Sequence, residues 1–222
     1  MQVTAYSFNG KTVVLTAGPT YEPIDPVRFI GNHSTGKMGF ALAEAFAEQG
    51  ARVQLVSGPT TQQAQHPNIT VNPVTTADEM YAAVQALAPQ AAILVFAAAV
   101  ADYKPKVTAD KKIKKSGNEL TIALVKNVDI AAELGKVKQP GQFSVGFALE
   151  TDNESANARE KLHKKNLDMI VLNSLNDPGA GFKHDTNKIT IIEEEATTAF
   201  ELKTKREVAL DIVHLIWERL HG

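Results

Sequence analysis

The chain contains no cysteine, which excludes disulfides, thiolate metal sites and a cysteine nucleophile, and which fits a reducing compartment. Long apolar runs are missing too. None reaches the ~18 residues of a membrane-spanning helix, and the opening MQVTAYSFNGKT lacks the pattern of a secretory signal. Charge of one sign is scarce: a net charge of -2 over 222 residues argues against a general binder of nucleic acid or membrane surfaces. Any basic site must therefore be local. There is no Pro/Gly/Ser-rich linker, composition break or low-complexity run. We read residues 1–222 as one domain, expected to be soluble and cytoplasmic, with neither nucleic acid nor membrane among its partners. A hydrophobic content of 44% is enough for a sizeable core.

What is present is a regular alternation of two periodicities. Apolar, β-branched runs predict strands over 12–17, 53–57, 69–74, 92–98, 143–148, 169–172 and 189–193. Helical patterns predict helices over 36–49, 77–87, 129–136, 152–165 and 205–220, the first with Met38, Leu42, Ala45 and Phe46 on one face. Strands alternating with helices imply right-handed βαβ units and an α/β fold, a mostly parallel sheet with helices on both faces. Ligands of such sheets bind beyond the carboxyl ends of the strands. Gly-Pro-Thr follows the first strand (Gly18, Pro19, Thr20) and the second (Gly58, Pro59, Thr60), read as shared turn chemistry and not as a repeat.

The segment GNHSTGKM (31–38) nearly spells a phosphate loop and fails on physics. Met38 stands where a hydroxyl should hold magnesium, and the stretch from Gly18 to Gly31 intervenes after the first strand. A dinucleotide site would need GxGxxG and an acidic residue after the second strand, where this chain has Ser57-Gly58. The general feature that survives is a helix start surrounded by Ser34, Thr35, Gly36 and Gly39, where free amides favour an anion. An ordinary helix cap with a small-residue turn fits the same residues. Arg28 and Asn32 could add a cation and an amide to that opening, or Arg28 could be a surface ion-pair partner.

The fourth strand ends in very small residues, Ala97 to Ala99, and closes on Asp102. Small side chains there let a ligand approach the backbone, or pack beneath a helix. Asp102 suits a metal, a ribose hydroxyl, a helix cap or a salt bridge. Lys104, Lys106, Lys111, Lys112, Lys114 and Lys115 then crowd into one stretch. Such a run is usually a solvated loop. Placed beside a phosphate site it also suits a lid that closes cations over a polyphosphate, with a return strand over 119–125 in a flap over about 103–126. Lys161 and Lys165 share a helical face, as an anion site or as a solvated face balanced by Glu160 and other acids. The six histidines show no ligand spacing, and there is no nucleophile elbow.

Taken together, TAGPTYEPIDPVRFIGNHSTGKMG (16–39), AAAVADY (97–103), KIKK (112–115), VGFALET (145–151) and KLHKKNLD (161–168) resemble bacterial phosphopantothenoylcysteine synthetase. That family is often the C-terminal half of a fusion with a flavin-dependent decarboxylase, so this chain would be a free-standing form or an excised domain. The resemblance implies a Rossmann-like homodimer with a shared active site, and a ligase that joins 4'-phosphopantothenate to cysteine in coenzyme A biosynthesis. It implies CTP as co-substrate, Mg2+, and an acyl-cytidylate intermediate. By the same resemblance Lys112 is the flap lysine that stabilises the triphosphate, Asn32 handles the acyl-cytidylate, and Arg28 contacts substrate. Ser34 and Gly36 belong to the phosphate-binding loop. Phe96, Ala97, Ala98, Asp102, Asn127, Val128, Asp129, Ile130, Phe147, Lys161 and Lys165 match nucleotide contacts. Asp102 is the candidate metal ligand, with the metal and ribose roles left open between Asp102 and Asp129. Where the family often has Asn-Pro-Asp-Ile, this chain has Asn127 to Ile130 with Val128 in place of proline. The alternatives are an NAD(P)-dependent oxidoreductase and a non-catalytic nucleotide-binding module on the same fold.

Overall fold

A computed structural model of the protein describes residues 6–115, 117–150, 153–174 and 185–221. The central sheet comprises β1 (Thr12–Ala17), β2 (Arg52–Ser57), β3 (Ile69–Pro73), β4 (Ile93–Phe96), β5 (Phe143–Glu150), β6 (Met169–Ser174), β7 (Ile189–Ile192) and β8 (Thr197–Ala199). Their spatial order is β8-β7-β6-β5-β4-β1-β2-β3. Neighbours from β3 across to β6 pair in parallel, and β7 and β8 are added antiparallel. The first six strands thus follow the 3-2-1-4-5-6 order of doubly wound folds, as the alternation of periods predicts.

Both faces of the sheet are covered, which is why its strands read as continuous apolar runs. Val13 and Leu15, Val53 and Leu55, and Ile93 and Val95 point to one face. There they pack against α1 (Lys37–Glu48) and α5 (Lys205–His221). The intervening Val14, Val56 and Leu94 meet α2 (Ala77–Leu87) and α3 (Ile130–Lys136) on the other. Further along that face, Ile170, Leu172 and Ile192 pack on Ala158 and Leu162 of α4 (Glu154–Lys164). Of the four residues expected on the buried face of α1, Leu42, Ala45 and Phe46 are buried and Met38 is partly so. The α2 boundaries fall where the sequence puts them because its start is set locally. Thr76 accepts from the Glu79 amide, and the Glu79 carboxylate returns to the Thr76 amide.

Among the strands, the sequence expectation overshoots furthest at two places. β4 stops at Phe96, not at residue 98, because the next amides leave the ladder: Ala98 N donates to Thr16 Oγ1 and Ala99 N to Gly18 O. The return strand expected over 119–125 is only Leu124–Lys126, paired antiparallel with Tyr103–Pro105. Residues 119–121 are exposed and have no apolar surface to hold them flat. A second ribbon, Tyr21–Pro23 with Phe29–Gly31, carries no periodic signal. It is docked by Glu22, whose buried carboxylate accepts from the Ala77 amide at the start of α2. Among the described residues no helix is long and apolar enough to cross a membrane.

The two Gly-Pro-Thr turns touch each other. Gly18 adopts φ 74, the left-handed region, while Gly58 does not, so the tripeptides share composition but not conformation. A β-carbon on Gly58 would stand 1.7 Å from the Pro19 carbonyl oxygen, a backbone atom that cannot swing away. Gly58→Ala is expected to lower stability by about 1–3 kcal/mol. Urea unfolding would show it as a lower midpoint with an unchanged slope.

Candidate active site

At the switch point of a doubly wound sheet the crossovers diverge and leave a crevice beyond the strand ends. Here it opens where β1 meets β4, with a volume of about 940 Å³. Its floor is held by exchange of hydrogen bonds between the two strand ends. Ala98 N donates to Thr16 Oγ1 (3.2 Å), Ala99 N to Gly18 O (2.9 Å), and Ala101 N to the fully buried Thr20 Oγ1 (3.0 Å). The small residues Ala97 and Ala98, with Phe96, leave that backbone as part of the wall.

One corner is the start of α1. Gly36 is its N-cap at φ 78, a conformation that suits glycine, and no side chain caps the helix. The amides of the first turn therefore have no intrahelical acceptor and face an opening lined by Ser34, Thr35 and Gly36. Asn32 stands beside it. Its amide nitrogen donates to Ala99 O (3.0 Å) and Val100 O (3.3 Å), which leaves Oδ1 as its free polar atom.

The opposite wall is the start of α3, where Asn127, Val128, Asp129 and Ile130 all line the crevice. Asn127 Nδ2 donates to Ala101 O (2.8 Å), while its Oδ1 is buried and accepts no hydrogen bond among the described residues. Asp129 caps α3 through Ala132 N (3.1 Å) and pairs with Lys165 Nζ (3.1 Å). Asp102, exposed at the rim, makes no side-chain hydrogen bond or ion pair among the described residues. Those residues contain no group of three or more acidic, His or Cys side chains able to cage a metal. A single free carboxylate is nevertheless the donor set that suits magnesium shared with substrate phosphates. Phe147 and Lys165 complete this side.

Three residues singled out from the sequence do not line the crevice: Arg28, Lys112 and Lys161. Lys161 lies on α4, and Lys165 follows it as the C-cap. Lys112 is exposed in the lysine-rich loop. Lys104 at the loop's base pairs with Asp78. Arg28 is turned away into an ion pair with Asp25, two guanidinium nitrogens meeting one carboxylate oxygen: Nε–Oδ2 3.1 Å and Nη2–Oδ2 2.5 Å. The crevice also recruits residues that were not among the candidates. Asn173, Asn187, Lys37 and Lys205 line the end beyond β6. Lys37 pairs with Asp185 (2.5 Å), and burial together with Lys37 pushes the Lys205 ammonium below its ordinary pKa. Lys37 was visible in the GKMG segment, but nothing local marks Lys205 or Asn187.

The strand order and a crevice at its switch point define a Rossmann-like α/β domain with its ligand cleft beyond the parallel strands. A family model of the DNA/pantothenate metabolism flavoprotein C-terminal domain matches residues 8–220, and the chain belongs to that family. It is 46% identical over 210 residues to the coenzyme A biosynthesis bifunctional protein CoaBC of Haemophilus influenzae, covering 95% of this chain and 52% of that protein. It is 54% identical over 221 residues to a protein of an unknown prokaryotic organism named cysteine/cysteine sulfinic acid decarboxylase, covering 99% of this chain and 62% of that one. The chain thus spans little more than half the length of these curated relatives. The crystal structure of the C-terminal domain of CoaBC superposes with a TM-score of 0.82 at 39% identity, covering 97% of both chains.

The Asp25 carboxyl is held well below the usual carboxylate range by Arg28, with backbone amides assisting and burial opposing. A carboxyl depressed on folding stabilises the protein above its unfolded pKa, and that contribution is lost as pH falls toward the folded value. The stability gap between the native protein and Asp25→Asn should be level above about pH 5 and narrow on acidification below about pH 4. Urea unfolding across that range measures it.

Proposed function

We propose that this domain is a ligase that joins 4'-phosphopantothenate to cysteine, with CTP as co-substrate and magnesium, as a step of coenzyme A biosynthesis. The observation that carries the reading is the crevice itself. An uncapped α1 start, Asn32 and the free Asp102 carboxylate converge on one cavity, at the foot of a lysine-rich loop. The family membership and the names of the CoaBC relatives support the choice of substrates.

The chemistry asks the protein for positioning and cations more than for covalent help. An oxygen of the phosphopantothenate carboxylate bonds to the α-phosphorus as the bond to the pyrophosphate oxygen breaks. The amine of cysteine then bonds to the acyl carbon, and CMP and a proton leave. The first-turn amides of α1 offer an anion site for a phosphate, and Lys112 brings charge to the triphosphate when its loop closes. Asn32, immobilised on the backbone of Ala99 and Val100, is placed to orient the acyl-cytidylate through Oδ1. Asn127 Oδ1 is an unpaired acceptor in the wall, matched by the exocyclic amine of cytosine. Magnesium, held by Asp102 and the phosphates, would neutralise developing charge on the leaving group.

A second copy is the expected partner. Val27 and Phe29 at the ribbon of Tyr21–Pro23 with Phe29–Gly31, and Tyr103 and Leu124 on the ribbon of Tyr103–Pro105 with Leu124–Lys126, are 60%, 51%, 45% and 45% exposed, an apolar surface beside the lysine loop. That surface supports a homodimer with a shared site. A flavin-dependent decarboxylase is the other expected partner, fused or associated. For the oxidoreductase alternative, the end of β2 offers only Ser57, whose hydroxyl donates to Gly58 O, and no acid for a ribose.

With phosphopantothenate, cysteine and magnesium, CTP should support pyrophosphate release and ATP should do so less well. Release that needs CTP but not phosphopantothenate would count against the ligase. Lys112→Gln should lower acyl-cytidylate formation by about 10²–10³-fold, while Asn32→Asp should make the intermediate accumulate, read by mass spectrometry of quenched reactions. Full activity of Lys112→Gln would remove the loop from the mechanism.

A further inference from the structure

The Asp25 carboxylate lies outside the crevice, yet it is among the most completely satisfied polar groups in the protein. Its side chain is fully shielded from solvent. Oδ1 accepts from Val27 N and Arg28 N, both at 2.9 Å. Oδ2 accepts from the Arg28 guanidinium and from Ile113 N at 3.1 Å. The same guanidinium donates onward through Nη2 to Ile113 O at 3.2 Å. Ile113 follows Lys112 directly, so both backbone polar groups of one loop residue are captured by a single ion pair, whose carboxylate is buried and whose guanidinium is partly exposed. Two more bonds tie the loop to the same turn: Ala109 N donates to Ile24 O (3.0 Å) and Thr108 Oγ1 to Pro23 O (3.1 Å).

The neighbourhood makes this tie selective. Lys106, Lys111, Lys112, Lys114 and Lys115 form no ion pair among the described residues and are exposed. Left alone, a run of like charges spreads out and samples many conformations. Among the described residues, Ile113 and Ala109 are tied to this turn through backbone atoms and Thr108 through its hydroxyl, which leaves the lysine side chains available. A buried carboxylate held by two guanidinium nitrogens and three backbone amides is a stiff anchor, because donors on both oxygens fix its direction as well as its distance.

We infer that Asp25 is a positioning residue for the lysine-rich loop: with Arg28 it clamps the backbone of Ile113 and so sets where Lys112 stands relative to the crevice. The inference deepens the proposed ligase function and rests on it where turnover is concerned, but the clamp itself can be tested without substrate. Arg28 thereby acts on the loop, and through it on the site.

In Asp25→Asn one acceptor becomes a donor facing donors, so the clamp should open. Hydrogen exchange of the Ile113 amide should then accelerate at least about 10-fold while exchange in β1 and β4 stays unchanged. The kcat for pyrophosphate release should fall about 10- to 100-fold through misplacement of Lys112, with the KM for phosphopantothenate little altered. The deciding comparison is the double variant. In a Lys112→Gln background, Asp25→Asn should cost nothing further, because the residue it positions is already gone. Arg28→Lys keeps the charge but not the fork. It should give an intermediate loss in both readouts, and it carries the test if Asp25→Asn does not fold. Unchanged Ile113 exchange, or losses that multiply in the double variant, would overturn the inference. A native protein that releases no pyrophosphate, but whose Ile113 amide is freed in Asp25→Asn, would refute the ligase and uphold the clamp.

Discussion

Where β4 leaves the sheet, four consecutive peptide units must find partners outside any ladder, because buried amides and carbonyls left unpaired are costly. The β1 end supplies them. Thr16 and Thr20 accept through their hydroxyls, and Gly18 O and Thr20 N exchange bonds with Ala99. On the far side Asn32 and Asn127 donate to the carbonyls of Ala99, Val100 and Ala101. Much of what lies around the crevice hangs from this joint. It holds the alanine-lined backbone still, orients Asn32, and starts the chain toward Asp102 and the lysine-rich loop. A hydroxyl lost from Thr20 would strand a buried amide at the centre of the site.

The same joint explains why the cleft is polar at its ends and bland in its middle. Its centre is backbone and small side chains, which can lie against a flat group. Charge is placed at the periphery: the α1 start and Lys37 with Lys205 at one end, Lys165 paired with Asp129 at another, Asp102 at the rim. Most of these cations already have an acidic neighbour. The five exposed lysines of the loop form no ion pair among the described residues, so a cluster of uncompensated positive charge stands on a loop clamped to the neighbouring ribbon turn.

Legibility in the sequence followed the range of the interactions. The strand at 12–17 and the helix at 77–87 were readable residue for residue, the first from an apolar run, the second from its helical pattern, whose start the structure shows to be fixed by a local capping box. The crevice residues after β4 and at the α3 start were readable from small side chains and from motifs that run along the chain. Arg28 was not. Its acidic partner is three residues away, but the partner's other ligand, Ile113, is 88 residues away from Asp25. Lys205 and Asn187 carried no signal, because the start of α5 and the segment Thr186–Asn187 ahead of β7 reach the cleft only after the sheet is assembled.

Taken alone, then, the order of apolar periods determined the α/β class and the strand succession, and the small and glycine-rich segments determined which strand ends would be open. Those features depend on backbone preference and on burial of one face or two, both decided within a few residues. Tertiary structure alone decided which charges face the cleft and which face each other. It turned Arg28 toward Asp25 and Ile113, gave Asp129 to Lys165 and left Asp102 free. A charged side chain pairs with whatever the folded chain brings within about 4 Å, and that distance is set by packing and not by sequence neighbourhood.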